Sequence, residues 1–300
     1  MNKIIGPSVV FGTTLILCPE REAATMSKEV PPNGADAKPD VRIPLGVPTA
    51  ARMYDEALGG KDHYDVDRAA NGRLYDLIGE HRVRSTATEN RRFLGRVVEH
   101  LAKSCGIRQF LDVGSGLPTV RNTHQIALEA NPDARVVYVD IDPIVAVHGK
   151  ALLRAGTTRV ITADMREPES ILLHPTVTEM IDFDEPVAVL FIAVFHFVTA
   201  EENPAKIVSA FRERQAPGSY VAISHLTTDG MSASEQNGWH AGFAGATVPL
   251  VLRGEQEIRD LFDGYHLVEP GLVRPWQWRP DGTDAPATCS LFGGVGLKQP

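Results

Sequence analysis

Short apolar runs alternate with amphipathic stretches from about residue 106 to the end of the chain. Short runs rich in Val, Ile, Leu and Phe are typical of buried strands, whereas apolar residues spaced three or four apart are typical of helices. The runs predict strands at 109–113, 135–140, 159–163, 187–192, 219–224, 266–273 and 290–297. The amphipathic stretches predict helices at 119–130, 144–154, 204–214 and 255–262. Because such alternation requires a mostly parallel sheet covered on both faces, we expect an α/β fold with seven strands.

The chain before the first predicted strand has a helical pattern. Three helices are predicted there, at 51–58, 66–78 and 86–102. Gly59 and Gly60 follow the first of them, and glycine enters the left-handed conformation that ends a helix without a steric penalty. We expect residues 41–105 to form a helical lid, followed by the main domain at 106–300.

Two segments depart from this regular pattern. Residues 1–40 are predicted to be a disordered or misassigned leader, because the part after residue 27 is rich in Pro, Lys and acidic residues. The apolar run at 4–17 is shorter than the ~20 residues that a membrane-spanning helix needs. The Gly-rich segment 227–254 is long for a plain connection, so we interpret it as an insertion in the main domain.

Composition and charge exclude some classes of partner. The chain is 43% hydrophobic and 23% charged, which is typical of a globular protein, and its formal net charge is -8. A negative surface repels a phosphate backbone, so we expect no nucleic-acid partner, and we expect no membrane association. Cys18, Cys105 and Cys289 are too far apart for a disulfide framework or a zinc site, and we expect free thiols in the cytoplasm and no bound metal.

The first candidate site is a strand–turn–helix segment at 110–119. Gly114 and Gly116 allow the backbone to turn sharply and to approach a ligand closely. Asp112, just before the turn, suits a cationic ligand with an amino group and repels a pyrophosphate. Dinucleotide sites also need a third glycine, which this segment lacks, so a nicotinamide-dependent oxidoreductase is a weaker alternative. A tight turn without a ligand is the other alternative.

Two further acidic residues follow the next two predicted strands. Asp140 ends the second strand, where a carboxylate can accept both ribose hydroxyls of a nucleoside. Asp164 ends the third, where it can accept from an adenine amino group while Met165 covers the ring. The carboxyl ends of parallel strands are where open sheets bind ligands. Each acid could instead cap a helix, and we prefer that interpretation for Asp142, which precedes Pro143.

Several motifs outside these strands resemble the SAV2177-type S-adenosyl methyltransferase family, long classed as a domain of unknown function within the class I methyltransferases. The motifs are Ala51-Arg52-Met53-Tyr54-Asp55, Leu58-Gly59-Gly60-Lys61-Asp62, Glu89-Asn90-Arg91-Arg92-Phe93-Leu94 and Pro275-Trp276-Gln277-Trp278-Arg279-Pro280. The resemblance covers the chain from about residue 40 to 297, and His63 stands where the family often has Asn. It implies a Rossmann-like class I methyltransferase fold and S-adenosylmethionine as methyl donor.

The resemblance also implies roles for individual residues. Contacts with the methyl donor are expected at the strand ends and at the lid. The strand-end residues are Asp112, Gly114, Ser115, Gly116, Asp140, Ile141, Asp164 and Met165, and the lid residues are Tyr54, Lys61 and Asp62. His196 lies just past the fourth strand, where class I enzymes place residues near the transferred methyl group. A surface ion pair beside a glycine cap is the alternative for Lys61 and Asp62.

Methyl transfer from a sulfonium is an in-line displacement, so positioning supplies most of the catalysis. His196 and His225 are the candidate general bases for an acceptor that must lose a proton, although either could be a structural histidine. Trp239 and His240 of the insertion are expected to line the acceptor pocket, and packing is the expected role of Trp276 and Trp278. We expect a small-molecule acceptor. The alternative in another class is a catalytically silent protein that binds S-adenosylmethionine as a sensor or scaffold.

Overall fold

A computed structural model describes residues 46–119, 121–152, 156–282, 285–286 and 288–300. The leader predicted at residues 1–40 lies outside the described residues. The helices are α1 (Ala50–Ala57), α2 (Asp65–Ile78), α3 (Glu80–Lys103), α4 (Thr123–Ala130), α5 (Pro143–Leu152), α6 (Pro168–Leu172), α7 (Pro175–Met180), α8 (Pro204–Arg214), α9 (Ala233–Gly242) and α10 (Glu255–Asp260). The strands are β1 (Gln109–Val113), β2 (Arg135–Asp140), β3 (Thr158–Thr162), β4 (Ala188–Ile192), β5 (Tyr220–Leu226), β6 (His266–Leu267) and β7 (Leu291–Leu297).

The described strands form one seven-stranded sheet in the order β3-β2-β1-β4-β5-β7-β6. Strands β1 to β5 are parallel, and β7 runs antiparallel to both β5 and β6. In this register Asp112 of β1 pairs with Tyr138 of β2 and with Leu190 of β4. The predicted fold class is confirmed. Because the central strands are parallel, all of them end at the same edge of the sheet.

Two cores cover the two faces of the sheet, because successive residues of a strand point to opposite sides. Leu111 and Val113 of β1 belong to the core that includes residues of α6, α7, α8 and α10. Phe110 belongs to the other core, with residues of α3 and α4. Both strand faces are therefore apolar, as expected of a parallel sheet buried between helices.

The long helix α3 is anchored to the sheet through the segment that carries the two tryptophans. Arg96 of α3 donates hydrogen bonds to the carbonyl oxygens of Trp278 and Pro275, at 3.1 and 2.7 Å. The Trp278 ring is fully buried and packs edge-on against Phe93, with 5.7 Å between ring centroids. Trp278 therefore has the packing role predicted for it.

The Gly-Gly-Lys-Asp motif forms the loop that joins α1 to α2. The buried Asp55 carboxylate accepts a hydrogen bond from the Asp62 amide and contacts His63 Nδ1, both at 2.9 Å. A Cβ at position 60 would overlap that carboxylate. The loop therefore folds around Asp55, and Gly60 is required there because a larger residue would overlap the Asp55 carboxylate.

Some elements differ from the predicted boundaries, and the backbone explains part of this. Helix α4 begins at Thr123 rather than 119, because Arg121 has a left-handed φ of 56° that interrupts a helix. Helix α3 begins at Glu80, directly after Gly79 with its φ of 90°, and not at 86. The short helices α6 and α7, and α9 within the insertion, were not predicted, and β6 has two residues where a strand over 266–273 was predicted.

We predict that Gly60→Ala lowers the free energy of unfolding by about 2 kcal/mol, because the new methyl group must displace the Asp55 carboxylate from its partners. Gly72→Ala within α2 is the matched control, since a Cβ there meets nothing within 4 Å. The control should raise stability by up to about 1 kcal/mol. Chemical denaturation of both variants measures the difference, and equal stabilities would refute this account of the motif.

Candidate functional site

One cavity lies at the carboxyl edge of the sheet, and residues of α1, α2, α3 and α9 also line it. We call its wall at the ends of β1, β2 and β3 the acidic half, with Asp112, Gly114, Ser115, Gly116, Asp140, Ile141, Asp164 and Met165. We call the part of its wall near the end of β5 and the start of β7 the apolar half. Its residues are Leu74, Phe197, Leu226, Trp239, Phe243 and Leu291. His196 also lines the cavity. It follows β4, which lies in the sheet between β1 of the acidic half and β5 of the apolar half.

The turn after β1 brings the backbone to the cavity. Gly114 and Gly116 have φ values of 72° and 65°, and a Cβ at position 114 would overlap Val194. The amides of Gly114 and Ser115 donate to the Val139 carbonyl at 2.8 and 3.2 Å. The Ser115 hydroxyl is buried and has no hydrogen-bond partner among the described residues. The turn therefore presents both a bare backbone and an unsatisfied polar group to a ligand.

Asp140 connects the end of β2 to this turn. Its Oδ2 accepts from the Gly116 amide at 2.8 Å, and its Oδ1 accepts from the Asp142 amide at 2.9 Å. Burial raises the pKa of Asp140 to about 6, although the two backbone hydrogen bonds oppose the shift. Asp142 accepts from the Ile144 amide at 3.0 Å and caps α5, as predicted. A ligand with positive charge or hydroxyl donors would favour the ionised form of Asp140.

Asp112 lies deeper, on the face of the sheet that α4 covers. Its Oδ2 accepts from the Thr123 hydroxyl at 2.6 Å. Burial raises the pKa of Asp112 to about 6, and the Thr123 hydrogen bond and the charge of Arg91 offset part of the rise. Two carboxyl groups that resist ionisation thus stand on either side of one glycine turn, an arrangement that a cation would stabilise.

Asp164 and Met165 occupy the end of β3. The Asp164 carboxylate pairs with Arg166, whose Nε lies 2.9 Å from its Oδ1, and Arg166 also pairs with Glu202 at 2.8 Å. Burial raises the pKa of Asp164, but the Arg166 hydrogen bonds and charge outweigh it and lower the pKa. Met165 is buried, whereas Ile141 is 50% exposed at the cavity. An exposed isoleucine beside a buried methionine offers apolar surface for a flat base.

His225 is held inside the protein and is absent from the described residues that line the cavity. Its Nε2 lies 2.7 Å from Arg253 Nη1, which can only donate, so Nδ1 carries the proton and donates to the Leu226 carbonyl at 2.6 Å. Burial lowers the pKa of His225 to about 3. The structure therefore gives no support to a base at His225, and we assign it a structural role.

His196 is 5% exposed and lines the cavity on a one-turn 3-10 helix at Phe195–Phe197. Arg253 donates to the carbonyls of Phe195 and Val198, at 2.8 and 2.7 Å, and so fixes this turn. Burial lowers the pKa of His196 well below its usual value, and His225 and Arg253 lower it further. The imidazole is therefore neutral at pH 7. Sequence reasoning missed Arg253, because a lone arginine in a Gly-rich segment gives no signal.

The three residues predicted on the lid lie in different places. Tyr54 lines the cavity, where its hydroxyl donates to the Ala87 carbonyl at 3.1 Å and accepts from Asn90 Nδ2 at 2.9 Å. Lys61 is exposed, and Asp62 pairs with His148 Nδ1 at 3.6 Å. Neither residue is among the described residues of the cavity wall, because the loop around Asp55 directs them elsewhere.

The segment 227–254, which was predicted to be an insertion, contributes to the wall through α9. Trp239 lines the cavity as predicted, but His240 is absent from the described wall residues and its Nδ1 contacts the Leu250 carbonyl at 3.1 Å. Phe197 and Phe243 also line the cavity, although neither was predicted to do so. Asn90 joins Tyr54 to β5, since its Oδ1 accepts from the Ser224 hydroxyl at 2.5 Å.

Residues 36–299 match the profile of a family described as S-adenosyl methyltransferase. The chain belongs to this family. A candidate methyltransferase from Thermobifida fusca YX, known from a crystal structure, is 41% identical to this chain. The match covers 88% of this chain and 100% of the other, and the two structures superpose with a TM-score of 0.81. A DUF574 family protein from Streptomyces avermitilis MA-4680 is 37% identical over 86% of this chain and 100% of its own, with a TM-score of 0.82.

These comparisons confirm the predicted family and fix the methyl donor as S-adenosylmethionine. An O-methyltransferase family protein from Burkholderia thailandensis shares the fold at 13% identity, with a TM-score of 0.50 over 82% of this chain and 71% of its own. No curated protein matched the sequence. Among the described residues, no helix has the length and apolar character to cross a bilayer, and no group of His, Cys, Asp and Glu could hold a metal ion.

We predict that protonation of His225 opposes folding. Because the pKa of His225 is about 3 in the folded protein and near 6.5 in an unfolded chain, the unfolded state takes up a proton first as the pH falls. The free energy of unfolding should therefore fall with decreasing pH, by up to about 1.4 kcal/mol per pH unit below 6.5, relative to His225→Gln. Denaturant titrations of both proteins between pH 4.5 and 8 measure this. Parallel pH profiles would contradict the buried neutral histidine.

Proposed function

We propose that the enzyme binds S-adenosylmethionine in the acidic half of the cavity and transfers its methyl group to a small molecule held in the apolar half. The observation that carries this proposal is a single cavity lined by both halves, with His196 between them. When bound, S-adenosylmethionine supplies an electrophilic methyl group whose carbon–sulfur bond breaks with both electrons left on the sulfur.

The acidic half fits each part of the methyl donor. The unsatisfied Ser115 hydroxyl and the bare backbone of Gly114 and Gly116 suit the amino-acid portion, with Asp112 supplying negative charge nearby. Asp140 is placed to accept from the ribose hydroxyls, since it lines the cavity and each of its oxygens, which accepts one backbone amide, has a further lone pair. Ile141 and Met165 offer apolar surface to the adenine, and Asp164 suits its amino group.

The chain's own contribution to the reaction is positioning and exclusion of water. Helices α1, α2 and α3 contribute residues to the cavity wall, and in this proposal they limit the access of bulk water to a bound acceptor. Burial lowers the pKa of His196, so its imidazole is neutral near pH 7 and can orient the acceptor by hydrogen bonding or take the proton of an acceptor that must lose one. The role of general base expected for His196 from the sequence stays a prediction.

The other functions considered receive less support. The family match does not favour a nicotinamide-dependent oxidoreductase or a silent sensor. The net charge of -8 favours a small acceptor over a nucleic acid. The proposal includes a cytoplasmic location, because the free thiols of Cys105 and Cys289 are typical of a reducing compartment.

Turnover tests the proposal directly. Purified enzyme with isotopically labelled S-adenosylmethionine should transfer label to at least one member of a broad small-molecule panel, and the product should be S-adenosylhomocysteine. Transfer of label to RNA or to protein, with none to small molecules, would refute the small-molecule acceptor.

We predict that Asp140→Asn weakens the binding of S-adenosylhomocysteine about a hundredfold at pH 7.5, because the ribose hydroxyls lose a charged acceptor and the new NH2 group faces the Gly116 or Asp142 amide. Since the pKa of Asp140 is about 6, ionisation falls as the pH drops, and wild-type affinity should fall about tenfold more than that of the variant between pH 7.5 and 5.

Calorimetry at both pH values measures these affinities. Asp142→Asn is the matched control, because asparagine also caps a helix and the residue lies on the same wall. Equal affinities of Asp140→Asn and the wild type at pH 7.5 would show that the ribose does not bind Asp140.

A further inference from the structure

Charged side chains are confined to one end of the cavity. Among the described residues of its wall, those that carry charge are Arg91, Asp112, Asp140, Asp142, Asp164 and Arg166. All but Arg91 lie at the ends of β1, β2 and β3, and the charge of Arg91 acts on Asp112. The apolar half therefore has no described ionic partner for an acceptor. A charged group buried there without a partner would cost free energy.

Three of the six residues that define the apolar half, Phe197, Trp239 and Phe243, are aromatic. The rings of Phe197 and Phe243 lie 5.6 Å apart between centroids and are tilted by 45°. The His196 imidazole packs edge-on against Phe197 at 4.4 Å. Aromatic rings prefer edge-to-face or offset contacts with other rings, so this wall favours a flat aromatic ligand over an aliphatic chain.

Trp239 adds a specific polar group to that wall. It is 3% exposed, and its indole Nε1 is buried without a hydrogen-bond partner among the described residues. Helix α9, which carries it, packs closely on α2, because Gly238 and Gly242 lie where any Cβ would overlap Ile78 and Leu74. A buried donor in a fixed position needs an acceptor, and a ligand in the cavity can supply one.

We propose that the methyl acceptor is an uncharged aromatic molecule bearing an oxygen or nitrogen that accepts a hydrogen bond from Trp239 Nε1. This inference rests on the proposed function, because it places the acceptor in the apolar half. It excludes carboxylates and ammonium compounds as preferred acceptors. It also assigns Trp239 as a residue that determines specificity.

Three probes with one ring system test the charge of the acceptor. Calorimetry with enzyme saturated by S-adenosylhomocysteine measures the binding of 1-naphthol, 1-naphthoate and 1-naphthylmethylammonium. We expect 1-naphthol to bind at least tenfold more tightly than either ion. Equal or tighter binding of an ion, or no measurable binding of 1-naphthol, would overturn the inference. Loss of S-adenosylhomocysteine binding itself would instead refute the proposed function.

Trp239→Phe tests the hydrogen bond, since it removes the N–H and keeps an aromatic ring. We expect affinity for 1-naphthol to fall about five- to tenfold, with affinity for S-adenosylhomocysteine unchanged. Trp276→Phe is the matched control outside the described cavity wall and should bind 1-naphthol like the wild type. Unchanged 1-naphthol affinity in Trp239→Phe would overturn the role of Nε1. The comparison of the three probes on wild-type enzyme stands even if the variant fails to fold.

Discussion

The Asp140 carboxylate accepts a hydrogen bond from the Gly116 amide, and this contact joins the ends of β1 and β2 into one site. It holds the glycine turn open beside a carboxyl group whose pKa burial has raised. A buried carboxylate with few partners costs free energy, and a ligand that brings hydroxyl donors and positive charge repays that cost. The ends of the first two strands therefore suit the cationic nucleoside that we propose binds there.

The division of the cavity follows from the strand order. With β1 next to β4 at the centre, the carboxyl ends of β3, β2 and β1 lie on one side, and those of β4 and β5, with the start of antiparallel β7, lie on the other. The acids of the cavity lie in or follow strands of the first group, and Leu226 and Leu291 of the apolar half belong to strands of the second. Arg253 fixes the turn between them by binding the carbonyls of Phe195 and Val198. The position of His196 is therefore set by a buried arginine and not by its own contacts alone.

Local patterns predicted the sheet well, because each strand is a short apolar run with its own boundaries. Strands β1 and β2 and helix α8 have the predicted limits, and Asn203 and Pro204 mark the start of α8. Long-range contacts could not be predicted in the same way. Lys61 and Asp62 lie away from the cavity because Asp55 organises their loop, and His225 is unavailable because Arg253 and Leu226 occupy both its nitrogens. Such partners are distant in sequence and carry no periodic signal.

The central claim is that the glycine turn and Asp140 together form the binding site of the methyl donor. A crystal structure of the enzyme with S-adenosylhomocysteine tests it most directly. The account predicts ribose hydroxyls within hydrogen-bonding distance of Asp140, the amino-acid portion against Gly114 and Ser115, and the adenine between Ile141 and Met165. Ligand density in the apolar half, or at another place on the protein, would contradict it.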